Sequence, residues 1–170
     1  MAKITLGGNP VETSGNLPEI GSKLADFKLV TTDLETKTLS DFEGQNLILN
    51  IFASVGTGIC SASVRAFNTS ASDFKNTKVL CISKDLPFAQ KSFCAAENID
   101  NVVMLSDFKT GKFGTDYGLT MIGGLFDALL SRCIIVADKS HSVIYTEQVP
   151  EIGQEPNYHA AYKALLNMDE

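Results

Sequence analysis

Leu47-Ile-Leu-Asn-Ile-Phe52, then Ala53-Ser-Val-Gly-Thr-Gly-Ile59, then Cys60: this is the stretch whose reading decides the fold. A continuous apolar run bounded by small, turn-forming residues is the pattern of a strand buried on both faces. Beyond it Cys60, Val64, Phe67, Ala71 and Phe74 recur at spacings of 4, 3, 4 and 3, the stripe of an amphipathic helix. Strand, short loop and helix therefore follow one another, with a cysteine in the helix's first turn.

The buried-strand pattern repeats outward along the chain in Val79–Ser83, Val102–Ser106 and Cys133–Ala137. Val143–Gln148 alternates more, which suits an edge strand or a hairpin partner. Upstream, Ile4–Leu6, a Gly-Gly-Asn turn and Pro10–Thr13 predict an N-terminal hairpin spanning about 3–13. Phe27–Thr31 and Thr38-Leu39 predict a second short pairing. Asp85-Leu-Pro87 predicts a helix start with Asp85 as N-cap, and Leu86, Ala89, Phe93 and Ala96 would form its inward stripe. Asn157–Asn167 predicts a closing helix with Tyr158, Ala161, Tyr162 and Leu165 inward. Buried strands alternating with helices define an α/β sandwich around a mostly parallel sheet.

The 170 residues carry 14 Lys+Arg against 20 Asp+Glu, a net charge of −6. One domain is the expected organisation. The acidic balance argues against a nucleic-acid partner or an anionic membrane, either of which needs a basic patch. No run approaches the 18 or so apolar residues of a membrane span, and Met1–Pro10 lacks a signal-peptide core, so a cytoplasmic location is expected. Cys60, Cys81, Cys94 and Cys133 are too scattered for a disulfide scaffold, and with only His141 and His159 beside them no metal centre is expected. The chemistry left to these cysteines is thiol chemistry.

Cys81 and Cys133 lie within apolar strands and read as small core side chains. Cys60 stands apart. A thiolate in a helix's first turn faces unsatisfied backbone N–H groups and the positive end of the helix dipole, and both favour the charged form. Cys94 falls one position off the Phe93 stripe, sharing a face with Gln90, Lys91, Glu97 and Asn98, and reads as an exposed thiol. Arg132 directly precedes a buried strand, where it is either an internal ion-pair partner or a source of positive charge at the sheet's end. Gly56-Thr-Gly58-Ile-Cys-Ser61 departs from a dinucleotide fingerprint at Ser61, and no Gly-Lys-Ser/Thr follows to make a phosphate loop. A cysteine hydrolase would need His141 or His159 beside Cys60, yet both read as solvated surface residues. A thioredoxin-like redox sensor, with Cys60-Ser-Ala-Ser63 as a degenerate C-x-x-C, is the non-enzymatic alternative.

Asn50–Arg65 resembles the active-site region of bacterial thiol peroxidases, which are atypical two-cysteine peroxiredoxins on a thioredoxin-like fold. Val79–Gln90 with Lys91-Ser-Phe-Cys94 is similar to the segment carrying that family's resolving cysteine. Leu130-Ser-Arg132 resembles its arginine segment, and Glu155-Pro-Asn-Tyr158 its entry to the last helix. The family motif Pro-x-x-x-Thr-x-x-Cys is met except at Ala53, and Gly56 replaces a residue that is commonly aspartate. The resemblance implies a three-layer sandwich with a mixed central sheet and helices on both faces. It also implies Cys60 as peroxidatic nucleophile, Cys94 as resolving cysteine, and Thr57 and Arg132 as active-site partners; the backbone N–H groups of the Gly58–Cys60 turn, those of Gly58 and Ile59 among them, are the candidate donors at the substrate oxygens. Hydrogen peroxide and organic hydroperoxides would be reduced through a Cys60–Cys94 disulfide recycled by thioredoxin, in a homodimer and with no cofactor.

Overall fold

In the computed structural model, which describes residues 1–168, the apolar run that starts at Leu47 forms an interior strand of a seven-stranded sheet, next to its central strand. The strands are β1 (Lys3–Leu6), β2 (Asn9–Thr13), β3 (Lys28–Thr31), β4 (Thr36–Thr38), β5 (Asn46–Ile51), β6 (Thr77–Ser83), β7 (Val103–Ser106), β8 (Met121–Ile122), β9 (Cys133–Ala137) and β10 (Val143–Gln148). The α-helices are α1 (Gly58–Ser70), α2 (Pro87–Glu97), α3 (Lys112–Asp116) and α4 (Tyr158–Leu166). The large sheet runs β10-β9-β5-β6-β7-β3-β4, with β5, β6 and β7 parallel and the outer pairings antiparallel.

Leu47, Ile48, Leu49 and Ile51 are completely buried, each side chain contributing about 1.5–3 kcal/mol of hydrophobic stabilisation. Period-2 alternation divides the strand residues between two cores. Ile48, Phe52, Val79, Cys81 and Met104 meet α1 and α4, with Phe93 and Cys94 of α2 packed against the same cluster. Leu47, Leu49, Ile51, Leu80 and Ile82 face Phe113 and Tyr117 of the α3 segment. The two crossovers β5-α1-β6 and β6-α2-β7 advance in the same direction across the sheet, so their common hand puts both helices on one face.

The N-terminal hairpin forms as read. Gly7 and Gly8 make its two-residue turn at φ +58° and +80°, the region both central residues of a type I′ turn require. The hairpin recruits β8 as a third strand. Neither β8 nor α3 is marked by a period in the sequence; two and five residues are too short to show one. β10 takes the edge position that its alternation implied.

Two helices depart from expectation. α1 stops at Ser70, and Ala71–Asp73 tightens into a 3₁₀ turn, so Phe74 packs from beyond the helix. In α2 the N-cap is Leu86 rather than Asp85, with Pro87 in the first helical position. Leu86, Ala89 and Ala96 are exposed, and the fully covered residues are Pro87 and Gln90. Gln90 turns inward because its Nε2 donates to Ser83 Oγ (3.2 Å) and to the Leu105 carbonyl (2.9 Å). That rotation carries Cys94, one turn later, to a half-buried place against the core rather than to the exposed face. His141 is also only partly exposed, its Nε2 lying 3.0 Å from the Phe42 carbonyl.

Candidate functional site

Cys60 is the third residue of α1, 0% exposed. The helix starts there because Thr57 is extended (φ −98°, ψ 143°) and the first i→i−4 bond runs from Ser61 N–H to the Thr57 carbonyl. The amides of Gly58, Ile59 and Cys60 donate to no backbone or side-chain acceptor among the described residues. They form the positively polarised end of the helix dipole. Thr57 makes no side-chain cap; its hydroxyl donates to the Ser54 carbonyl at 3.3 Å.

Arg132 enters from 72 residues away and closes the site. Its Nη2 donates to Cys60 Sγ at 3.2 Å, and its Nε donates to the Ile152 carbonyl at 2.9 Å. The side chain is 2% exposed, and Nη1 has no hydrogen-bond partner among the described residues. None of the described ion pairs involves Arg132. A buried guanidinium without a carboxylate is an uncompensated charge, and the group it addresses is the thiol. The Arg132 backbone is held in turn by Val149 N–H and Gln148 Nε2, both donating to its carbonyl.

Cys94 lies in the last turn of α2, its carbonyl accepting from Asn98 and Ile99 N–H, with Asn98 in the left-handed region at φ +54°. Burial raises its thiol above the ordinary range. Beneath it Cys81 is pushed up to about 12, chiefly by burial; the Asn50 hydrogen bond opposes the shift and the nearby Cys94 adds to it. Burial likewise raises Cys133, on the opposite sheet face. All four cysteines are free thiols, and their environments separate one guanidinium-paired sulfur from three that burial holds protonated.

The structure thus brings Cys60 and Arg132 into contact, sets Thr57, Gly58 and Ile59 in the same turn, and puts Cys94 on the neighbouring helix. Arg65 of α1 and Glu97 of α2, 3.4 Å apart, link those helices. Sequence reasoning missed the polar layer below. Asn50, inside the apolar run, donates to Ser63 Oγ (3.2 Å), which donates to the Cys60 carbonyl (2.7 Å). A polar residue interrupting a fully buried strand was the available signal. Asp85 was also missed: its carboxylate accepts from Ser54 Oγ, Val55 N–H and Ser83 Oγ. A cavity of about 470 Å³ lies elsewhere, between Phe27, Phe113 and Lys109. The described residues contain no group of three or more potential metal ligands, and no described helix is long and apolar enough to cross a membrane.

A mixed α/β sheet with a thiol at a helix start, facing a buried arginine, defines a thioredoxin-fold thiol enzyme. The family model for Redoxin matches residues 19–162. A thiol peroxidase of Corynebacterium glutamicum is 50% identical over 165 residues, covering 97% of this chain and 99% of that one. One from Mycobacterium tuberculosis shows the same identity and coverage. Among solved structures, a peroxiredoxin-like protein from Aquifex aeolicus superposes with a TM-score of 0.90 at 32% identity, covering 96% of each chain. The thiol peroxidase of Chromobacterium violaceum shares the fold, with a TM-score of 0.92 at 20% identity over 100% of this chain and 99% of that one. The chain belongs to the Redoxin family and is a thiol-dependent peroxidase of the peroxiredoxin type.

Proposed function

We propose that this peroxidase reduces hydrogen peroxide and organic hydroperoxides through Cys60 and Cys94, with a cytoplasmic thioredoxin as reductant and a homodimer as the working form. The Cys60 thiolate attacks one peroxide oxygen, and the O–O bond breaks. The leaving oxygen takes a proton to become water or an alcohol, and Cys60 becomes a sulfenic acid. Cys94 then forms the S–S bond as the S–O bond breaks, and its thiol proton leaves with the hydroxyl as water. Thiol–disulfide exchange with thioredoxin returns both thiols.

The observation that carries this reading is Arg132, buried and bonded to Cys60 Sγ at 3.2 Å with Nη1 unpartnered. Thiolate supply alone cannot provide the acceleration. For a thiol in general, lowering the pKa from about 8.5 to about 6 raises the thiolate fraction at pH 7 roughly 30-fold. A Brønsted slope of about 0.45, taken from disulfide exchange, returns roughly tenfold of that as weaker nucleophilicity. The larger share comes from donors aimed at the oxygens as charge develops. Arg132 Nη1 and the amides of Gly58, Ile59 and Cys60 are the donors available, with the Thr57 hydroxyl beside them.

Arg132→Met tests this. Single-turnover consumption of hydrogen peroxide should fall by about 100-fold or more, in the range for losing a preorganised donor, and raising the pH should not restore it. A full recovery at alkaline pH would reduce Arg132 to a supplier of thiolate. Wild-type protein that consumes no peroxide would overturn the whole reading.

A further inference from the structure

Asp85 occupies the loop between β6 and α2, half-buried and outside all of the described ion pairs. Its Oδ1 accepts from Ser54 Oγ at 2.6 Å; its Oδ2 accepts from Val55 N–H at 2.9 Å and from Ser83 Oγ at 2.6 Å. Ser54 in turn organises the approach to Cys60. Its Oγ accepts from Gly56 N–H (3.0 Å), and its carbonyl accepts from Thr57 N–H and the Thr57 hydroxyl. On the other side Ser83 Oγ accepts from Gln90 Nε2 at 3.2 Å, and Gln90 lies one turn before Cys94 on α2. One carboxylate therefore connects the loop leading into the Cys60 helix with the helix that carries Cys94. Among the described side chains, Asp85 alone hydrogen-bonds to Ser54 or Val55 from outside that loop.

We infer that Asp85 is the positioning residue that holds the Cys60 loop and the Cys94 helix in the dithiol arrangement. Its removal slows the attack of Cys60 on peroxide and speeds closure of the Cys60–Cys94 disulfide. The inference rests on the proposed two-cysteine cycle. The first effect follows because an ångström of misplacement at a reacting centre can cost on the order of 100-fold in rate. The second follows because bridged cysteines need Cα atoms within about 7 Å. Both are free thiols, Cys60 held against Arg132 in the first turn of α1 and Cys94 in the last turn of α2, so bringing the two sulfurs to bonding distance draws on the segments that Asp85 ties together.

The test compares wild type, Asp85→Ala and Asp85→Asn by rapid quench and mass spectrometry. A Cys94→Ser background isolates sulfenic acid formation, and the intact pair reports closure. Asp85→Ala should oxidise at Cys60 at least tenfold more slowly yet close the disulfide several-fold faster. With excess peroxide its yield of Cys60 sulfinic acid should fall, because closure competes with the second oxidation, in which the sulfenic acid takes an oxygen from another peroxide. Asp85→Asn keeps an acceptor for Val55 N–H and can donate to Ser54 Oγ, so it should recover most of the attack rate. A variant that is merely less well folded would lose attack rate without faster closure. Unchanged rates in Asp85→Ala, or equal slowing of both steps with an unchanged sulfinic yield, would overturn the inference. Wild type that never oxidises at Cys60 would instead defeat the cycle on which the inference rests.

Discussion

Four buried side-chain polar atoms have no hydrogen-bond partner among the described residues: Asn50 Oδ1, Gln90 Oε1, Thr120 Oγ1 and Arg132 Nη1. An unmet buried group costs about 1–3 kcal/mol. Three of the four belong to side chains that touch Cys60, lie beneath its helix, or sit one turn from Cys94, so the cost is concentrated where the chemistry is. Glu151 is the opposite case, partly exposed but fully engaged. It accepts from the Thr5 hydroxyl and from the amides of Gly7, Gly8 and Gly153, and these bonds, Thr5's foremost, hold its carboxyl at about 2. Because the folded value is depressed, its contribution is complete above the ordinary value of 4.5 and is lost as pH falls through about 2. Amide-exchange protection at Gly7 and Gly8 should therefore persist near pH 5 and disappear across that acid window. In Glu151→Gln it should already be weak at neutral pH; equal protection in both proteins would remove Glu151 as the clasp of the hairpin.

At the scale of elements, the two cysteines of the proposed cycle occupy opposite helix ends. Cys60 is in the first turn of α1 and Cys94 in the last turn of α2, and terminal turns are the parts of a helix that open at least cost. Forming the bridge should unwind those two turns and leave the middle of each helix intact. Hydrogen exchange before and after one equivalent of peroxide should show lost protection at both helix ends and an unchanged β5. Equal protection in the two states would contradict the rearrangement. Local pattern made most of these elements legible in the sequence: the stripe of α1, the apolar run of β5 and the closing helix read over Asn157–Asn167, which forms as Tyr158–Leu166 with Asn157 as its N-cap. It failed where hydrogen-bond partners outside the helix outbid it. Asp85 next to Leu-Pro has the form of an N-cap, but Ser54, Val55 and Ser83 claim its carboxylate. Gln90 looks like a surface residue until Ser83 and Leu105 provide partners, and the rotation it imposes moves Cys94 inward.

At the scale of the whole molecule, the sheet assembles a site from segments that no local pattern connects. β5 delivers Cys60, and the residue just before β9 delivers Arg132, because the two strands pair with Ile51 opposite Cys133. The sequence showed a thiol at a helix start and an arginine at a strand's edge, but their contact is a property of the antiparallel β5–β9 register. Residues 107–129, which hold α3 and β8, were silent because elements of five and two residues are too short to repeat a period. The proposed two-cysteine cycle depends on this architecture. The most direct measurement is intact mass with a non-reducing peptide map after one equivalent of hydrogen peroxide. The expected product has lost two hydrogens and carries a single Cys60–Cys94 bridge, with Cys81 and Cys133 still free thiols. An unmodified Cys60, or a bridge that uses Cys81 or Cys133 instead, would contradict the cycle.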